Sequence, residues 1–217
     1  KEKRNFEAAI NHLENSAKLN PQHTQTYMEI GRIFSGKGEK YKAQIALKTL
    51  LHLEEANVEA RCLLAHTIMS ISKFDDALDE YNTALKYEPN NTDALNGIGY
   101  AYNKKGQFEK SLEALYKSFQ IDNNNTETLT NLGTTLQSIG DIDTASEYFA
   151  RILELNPNAI FAEKCLLFIH LNNPNYTLDE FFKLHINLRD RHNKPQFTNK
   201  SFSTRARDPN KKIKIGY

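Results

Sequence analysis

A chain that repeats itself at a fixed interval must build the same small structure again and again, and this sequence repeats every 34 residues. The block Ala94-Leu95-Asn96-Gly97-Ile98-Gly99 lines up with Thr128-Leu129-Thr130-Asn131-Leu132-Gly133. The same offset carries Ala77 to Ser111, Ser111 to Ala145, Gly106 to Gly140 and Phe108 to Ile142, and two periods carry Pro89 to Pro157. Four full units follow: 24–57, 58–91, 92–125 and 126–159.

Each unit reads as two helices. In 92–125, Leu95, Ile98, Gly99 and Tyr102 fall at i, i+3, i+4 and i+7, one stripe of an α-helix, which Gly106 ends. A second stripe runs through Phe108, Leu112, Leu115 and Phe119. Gly99 and Ser111, then Gly133 and Ala145, are small where the two helices cross, since a large side chain there would overpack the pair. Pro89 and Pro157 stop the second helix of their units. One helix pair cannot bury its apolar faces alone, so the units are expected to stack into an all-α solenoid around one continuous core. Small residues at unit positions 8, 20 and 27, bulky ones at 7, 11, 17 and 24, and proline at 32 resemble the tetratricopeptide (TPR) repeat. That resemblance implies a right-handed superhelix whose first helices line the concave face.

The ends depart from the pattern. Residues 1–23 fit only the second helix of a partial unit, through Phe6, Ala9, Leu13, Ser16, Leu19 and Pro21. Unit 24–57 has Lys40 at position 17 and Glu55 at position 32, yet Ile30, Gly31, Phe34, Ala43, Leu47 and Leu50 keep its core. Residues 160–192 read as a degenerate capping pair: Phe161, Leu166, Leu167 and Ile169 make one helix, and Pro174 interrupts it. A second helix restarts at Thr177, where Thr177 and Glu180 form a capping box ahead of Phe181, Phe182, Leu184 and Leu188.

Charge is balanced overall but not along the chain. Residues 183–217 hold ten Lys or Arg against two acids, whereas 1–182 carry a net negative charge. The segment 193–212 is rich in Asn, Lys, Ser, Thr and Pro, a composition that favours an exposed basic linker over a nucleic-acid arm. No apolar stretch approaches the roughly 20 residues that span a bilayer, and no secretory leader is seen. Cys62 and Cys165 lie about three units apart and read as reduced thiols, so a cytoplasmic location without membrane contact is expected.

After the linker, Lys212-Ile213-Lys214-Ile215-Gly216-Tyr217 alternates like the opening of a β-strand. A TPR array, a degenerate helical pair, a linker carrying Arg207-Asp208-Pro209 and this strand together resemble the O-linked N-acetylglucosamine transferase-like proteins, the SPINDLY-like branch included. In that family a similar strand opens a Rossmann-like catalytic lobe. The resemblance implies that 213–217 begin a truncated Rossmann-like domain. It also implies that the parent protein uses UDP-GlcNAc or another nucleotide sugar to glycosylate Ser or Thr of proteins, and that the TPR array recruits the acceptors. Residues 1–217 offer no catalytic, cofactor-binding or metal-ligating residue to that chemistry. The second reading is a TPR scaffold that assembles protein partners and has no enzymatic role.

Either way the expected site is the concave groove. The family implies an asparagine ladder at position 6, but that position holds Glu29, Leu63, Gly97, Asn131 and Cys165, so no continuous ladder exists. Positions 2, 5, 9, 12 and 13 project inward: Asp93, Asn96, Tyr100, Asn103 and Lys104, then Glu127, Thr130, Thr134, Gln137 and Ser138. Asn96, Tyr100, Asn103, Lys104, Thr130, Asn131, Thr134 and Gln137 are the candidate residues for binding extended segments of acceptor proteins, and the array also offers a surface for self-association. Other chemistry falls away on inspection. His185 and His192 miss the usual metal spacing, Gly97-x-Gly99 sits inside a helix, Asp75-Asp76 suits a helix N-terminus, and Asn123-Asn124-Asn125-Thr126 reads as an inter-repeat turn.

Overall fold

A computed structural model describes residues 2–172 and Ile186, with side chains from Ala9 to Leu171 and at Ile186. The chain divides into a unit of residues 1–169 and a second of 170–217. Ten α-helices occupy the described residues, and no strand is found among them: α1 (Glu2–Leu19), α2 (Thr24–Gly36), α3 (Lys40–Leu53), α4 (Val58–Met69), α5 (Phe74–Tyr87), α6 (Thr92–Lys104), α7 (Phe108–Ile121), α8 (Thr126–Ile139), α9 (Ile142–Leu155) and α10 (Ile160–Asn172). Apart from Ile186, the helix expected from Thr177 lies outside the described residues, as do the linker 193–212 and the strand 213–217.

Local chemistry fixes where the helices begin and turn. Asn57, Asn91 and Asn125 each precede a first helix in extended backbone, and each side chain accepts from a backbone amide of the first turn. These caps satisfy donors that helix geometry leaves open. Asn125, expected only as a turn residue, is thus the cap of α8. Between the two helices of a unit, position 15 adopts left-handed backbone: Gly38, Gly106 and Gly140 have φ of 77°, 70° and 89°. Ser72 occupies the same place in the unit 58–91 at φ 61°, a conformation that glycine adopts with less strain.

Packing follows the unit order. From α1 to α9 each helix rests on the next, and consecutive first helices also touch (α2 with α4, α4 with α6, α6 with α8), whereas among the described residues no comparable contact joins consecutive second helices. The array therefore bends toward its first helices, which line the inner face of residues 1–169. At the helix crossing, the glycine of position 8 makes room for the bulky residue at position 24 of the same unit: a Cβ on Gly31 would lie 2.7 Å from Leu47, and one on Gly133 would lie 2.8 Å from Phe149. Position 20 is as close as expected, since Ser111 Oγ donates to the Gly99 carbonyl at 2.7 Å.

The core differs from the single apolar column expected of the repeats. Three apolar clusters succeed one another, one built around Ile10, Ile30 and Phe34, one from Met28 to Ala114, and one around Leu129, Phe149 and Ile169. Between the second and third lie buried hydroxyls. Ser118 and Thr128 are 2.9 Å apart, Thr128 donates to Asn96 Oδ1 at 2.9 Å, and Ser111 and Thr135 lie within 3.1 Å. Every one of these groups has a partner, so the junction of 92–125 with 126–159 is polar without leaving orphans.

Candidate functional site

The inner face is built by α2, α4, α6 and α8, and its polar residues divide into those that stitch units together and those left free. Stitching follows two fixed offsets. Position 9 of one unit meets position 2 of the next, 27 residues on: Arg32 pairs with Glu59, and His66 Nε2 lies 2.9 Å from Asp93 Oδ1. Positions 5 and 12 meet positions 3 and 10 of the next unit, 32 residues on: Asn96 with Thr128, Ser35 with Thr67 at 3.3 Å, and Asn103 Nδ2 donating to Thr135 Oγ1 at 3.1 Å.

This division sorts the eight candidate residues. Asn96 was expected to project into the groove, but it is 1% exposed and holds Thr128 beneath the surface. Its helical-wheel angle does point toward the inner face, but α8 packs over that angle. Asn103 is half-buried and engaged with Thr135. The hydroxyls of Thr130 and Thr134 donate to carbonyls of their own helix, at 2.6 Å to Thr126 and 2.8 Å to Thr130. Tyr100 is 39% exposed, and the Lys104 ammonium lies 5.0 Å from its ring centre. Asn131 and Gln137 are half-buried, and no hydrogen bond occupies their amides among the described residues. The groups open to a ligand are therefore Tyr100, Lys104, Asn131 and Gln137, joined by Glu127; Asp93, exposed beside them, is shared with His66.

Electrostatics concentrate at one point of that face. Burial works against a charged His66 ring, but the Asp93 carboxylate outweighs it and holds the imidazole above its ordinary value, while His66 holds Asp93 below the usual carboxylate range. Glu127 is pushed up by desolvation and by the neighbouring Asp93 charge. Cys62, buried on α4, is raised to about 12 by desolvation first and by Asp93 second, so it is a neutral thiol and no nucleophile. Tyr81 reaches from α5 into the space that Gly97 leaves by lacking a side chain, and its ring meets His66 edge-on at 5.4 Å. Among the described residues no group of three or more His, Cys, Asp or Glu side chains is arranged to hold a metal ion. No helix there is long and apolar enough to cross a membrane.

Comparison with known proteins agrees with the architecture. Models of tetratricopeptide repeats match residues 69–106, 92–125 and 126–159. No curated protein matches the sequence. Among solved structures, MamA superposes with a TM-score of 0.63 at 23% identity, over 77% of this chain and 91% of that one. PilW, a type IV pilus biogenesis factor, gives 0.76 at 16% identity over 87% of each chain. YrrB, a TPR protein with an unusual peptide-binding site, gives 0.62 at 20% identity over 83% and 93%. The matched models are of TPR repeats, and none of these structures is a glycosyltransferase. Residues 69–159 of this chain are tetratricopeptide repeats, carried in a helical solenoid of the TPR type.

Proposed function

We propose that the chain is a protein-binding TPR scaffold whose inner face grips an extended segment of a partner. The observation that carries this reading is the set of groups left without a protein partner after the units have been stitched: the amides of Asn131 and Gln137 and the half-open Tyr100 ring, all on the inner side of α6 and α8. Free amides pair with the backbone of an extended peptide, and an amphipathic aromatic ring offers area at low entropic cost. The acceptor-recruiting role in a glycosyltransferase is the narrower form of this reading; it rests on the sequence resemblance, whose specific part is residues 207–217, and the comparisons lend it nothing.

A random library of displayed peptides, selected on the immobilised chain, tests the proposal. Enriched sequences should lose about tenfold or more in affinity when Tyr100, Asn131 and Gln137 are replaced together by alanine, because two neutral hydrogen bonds at roughly 0.5–1.5 kcal/mol each and an aromatic contact are removed. Helicity should be unchanged, since none of the three holds the units together. No enrichment, or enrichment untouched by the triple change, would refute it.

A further inference from the structure

The inner face carries a carboxylate at position 2 in three of the four units, Glu59, Asp93 and Glu127, and Gln25 in the first. Glu59 and Asp93 meet a base supplied by position 9 of the preceding unit, Arg32 and His66. At the third junction position 9 is Tyr100, so the register that supplies a counter-charge elsewhere supplies none to Glu127. Neither a hydrogen bond nor an ion pair engages the Glu127 carboxylate among the described residues, and it lies close enough to Asp93 for the two charges to oppose each other. A second feature is independent of this cluster. Tyr81 is wholly buried, yet its hydroxyl has no hydrogen-bond partner. The ring carbon that bears the hydroxyl lies against Gly97 on α6, the ring meets His66 edge-on, and the charges of Asp93 and Glu127 act on the hydroxyl. A buried hydroxyl left unpaired costs free energy comparable to a lost hydrogen bond, so its retention there calls for a use.

The floor between α4, α6 and α8 thus gathers acceptors in excess of donors. Two carboxylates, which only accept, face one imidazole, while the Tyr81 hydroxyl and the Cys62 thiol beside them can each accept as well as donate. A guanidinium is the complement of such a place, with five donors, no acceptor and a charge that persists at every physiological pH. Deepening the groove reading above, and resting on it, we propose that this floor binds an arginine side chain of the extended partner segment. Asp93 and Glu127 share its charge, and the Tyr81 oxygen accepts from it once the imidazole turns off Asp93. Arginine and His66 then compete for the same carboxylate.

The test uses three fluorescein-labelled peptides of about ten residues in a Gly/Ser background, carrying at alternate positions arginine, its uncharged isostere citrulline, or glutamate. Fluorescence anisotropy at pH 7.5 should show the arginine peptide binding about tenfold or more tightly than the citrulline peptide, and the glutamate peptide weakest. Glu127→Gln and Asp93→Asn should each reduce arginine-peptide affinity several-fold and leave citrulline-peptide affinity unchanged. Tyr81→Phe should weaken arginine binding about threefold, with helicity retained and thermal stability equal or higher, because the unpaired hydroxyl is gone. Equal binding of arginine and citrulline peptides overturns the inference, as does an arginine preference that survives Glu127→Gln. In that case peptides enriched from the random library and lost in the triple groove variant would still support the groove itself, so the two readings fail separately.

Discussion

Asn96 decides whether the polar inner face of this array is mostly groove or mostly seam. Its side chain is 1% exposed, Thr128 donates to its Oδ1 at 2.9 Å, and Ser118 lies 2.9 Å from Thr128 in turn. Asn96→Leu keeps the number and branching of the heavy atoms and removes the acceptor. The Thr128 hydroxyl then has one partner fewer in a dry junction, and leaving a buried polar group unsatisfied costs about 1–3 kcal/mol. Removing both ends together should cost far less. In Asn96→Leu/Thr128→Val no stranded hydroxyl remains at position 128, and Ser118 can turn to a carbonyl of its own helix. The expected coupling in the double-mutant cycle is about 1–2 kcal/mol in favour of the pair, the range of residues that share one network.

Urea denaturation followed by circular dichroism measures the cycle. Local hydrogen-exchange protection of α6 and α8 reports whether the loss is confined to that junction, as nearest-neighbour coupling in a repeat array requires. The reasoning fails if Asn96→Leu leaves the midpoint of urea unfolding unchanged and abolishes peptide binding, because Asn96 would then be a groove residue facing ligand. It fails equally if the two single changes prove additive.

The remaining predictions follow from other features of the same array. Ser72→Gly should stabilise the chain by about 0.5–1 kcal/mol, the strain of a left-handed serine less the greater freedom of glycine in the unfolded chain, and a drop in thermal midpoint would contradict the φ of 61°. Ala145, wholly buried on α9 in the unit where Gly133 receives Phe149, should tolerate no larger residue: Ala145→Leu should cost about 1–3 kcal/mol and broaden the melt, and an unchanged melt would show the register to be misassigned. His66, held above its ordinary value, stabilises the fold at pH below the unfolded histidine value of about 6.5, and this contribution disappears as pH rises through the higher folded value. Asp93, held low, contributes above its unfolded value and is lost as pH falls through the folded one, so the pair acts together in the window between them. The charged groups facing the ring are Asp93 from α6 and Glu127 from α8, while Tyr81 from α5 and Cys62 from α4 stay neutral there. An NMR titration of His66 should therefore show a midpoint that falls in Asp93→Asn, and an unmoved midpoint would refute the pairing.

What the sequence makes legible here is whatever repeats within one unit, and what it hides lies between units. The 34-residue period, the small residues at the crossing and the glycine near the end of three of the four first helices all constrain a single helix pair, and they reappear as the described helices, the close approach of Ser111 to Gly99 and the left-handed turns. The burial of Asn96 was hidden for a physical reason. A helical wheel fixes the angle of a side chain about its own axis, but it does not say how far along that axis the next first helix sits. The structure supplies this shift as two numbers, offsets of 27 and 32 residues, which are the period less seven and less two. Once the shift is known, the sequence becomes readable across the junctions as well. Acid at position 2 can be checked against base at position 9 of the preceding unit, as for Glu59 with Arg32 and Asp93 with His66, and Glu127 stands out because Tyr100 fills the place of its base. One gap in an asparagine ladder at position 6 has the same kind of origin: a side chain on Gly97 would collide with the Tyr81 ring, so at that position a phenol from the neighbouring unit, its hydroxyl buried and unpaired, fills the space that a ladder residue would take.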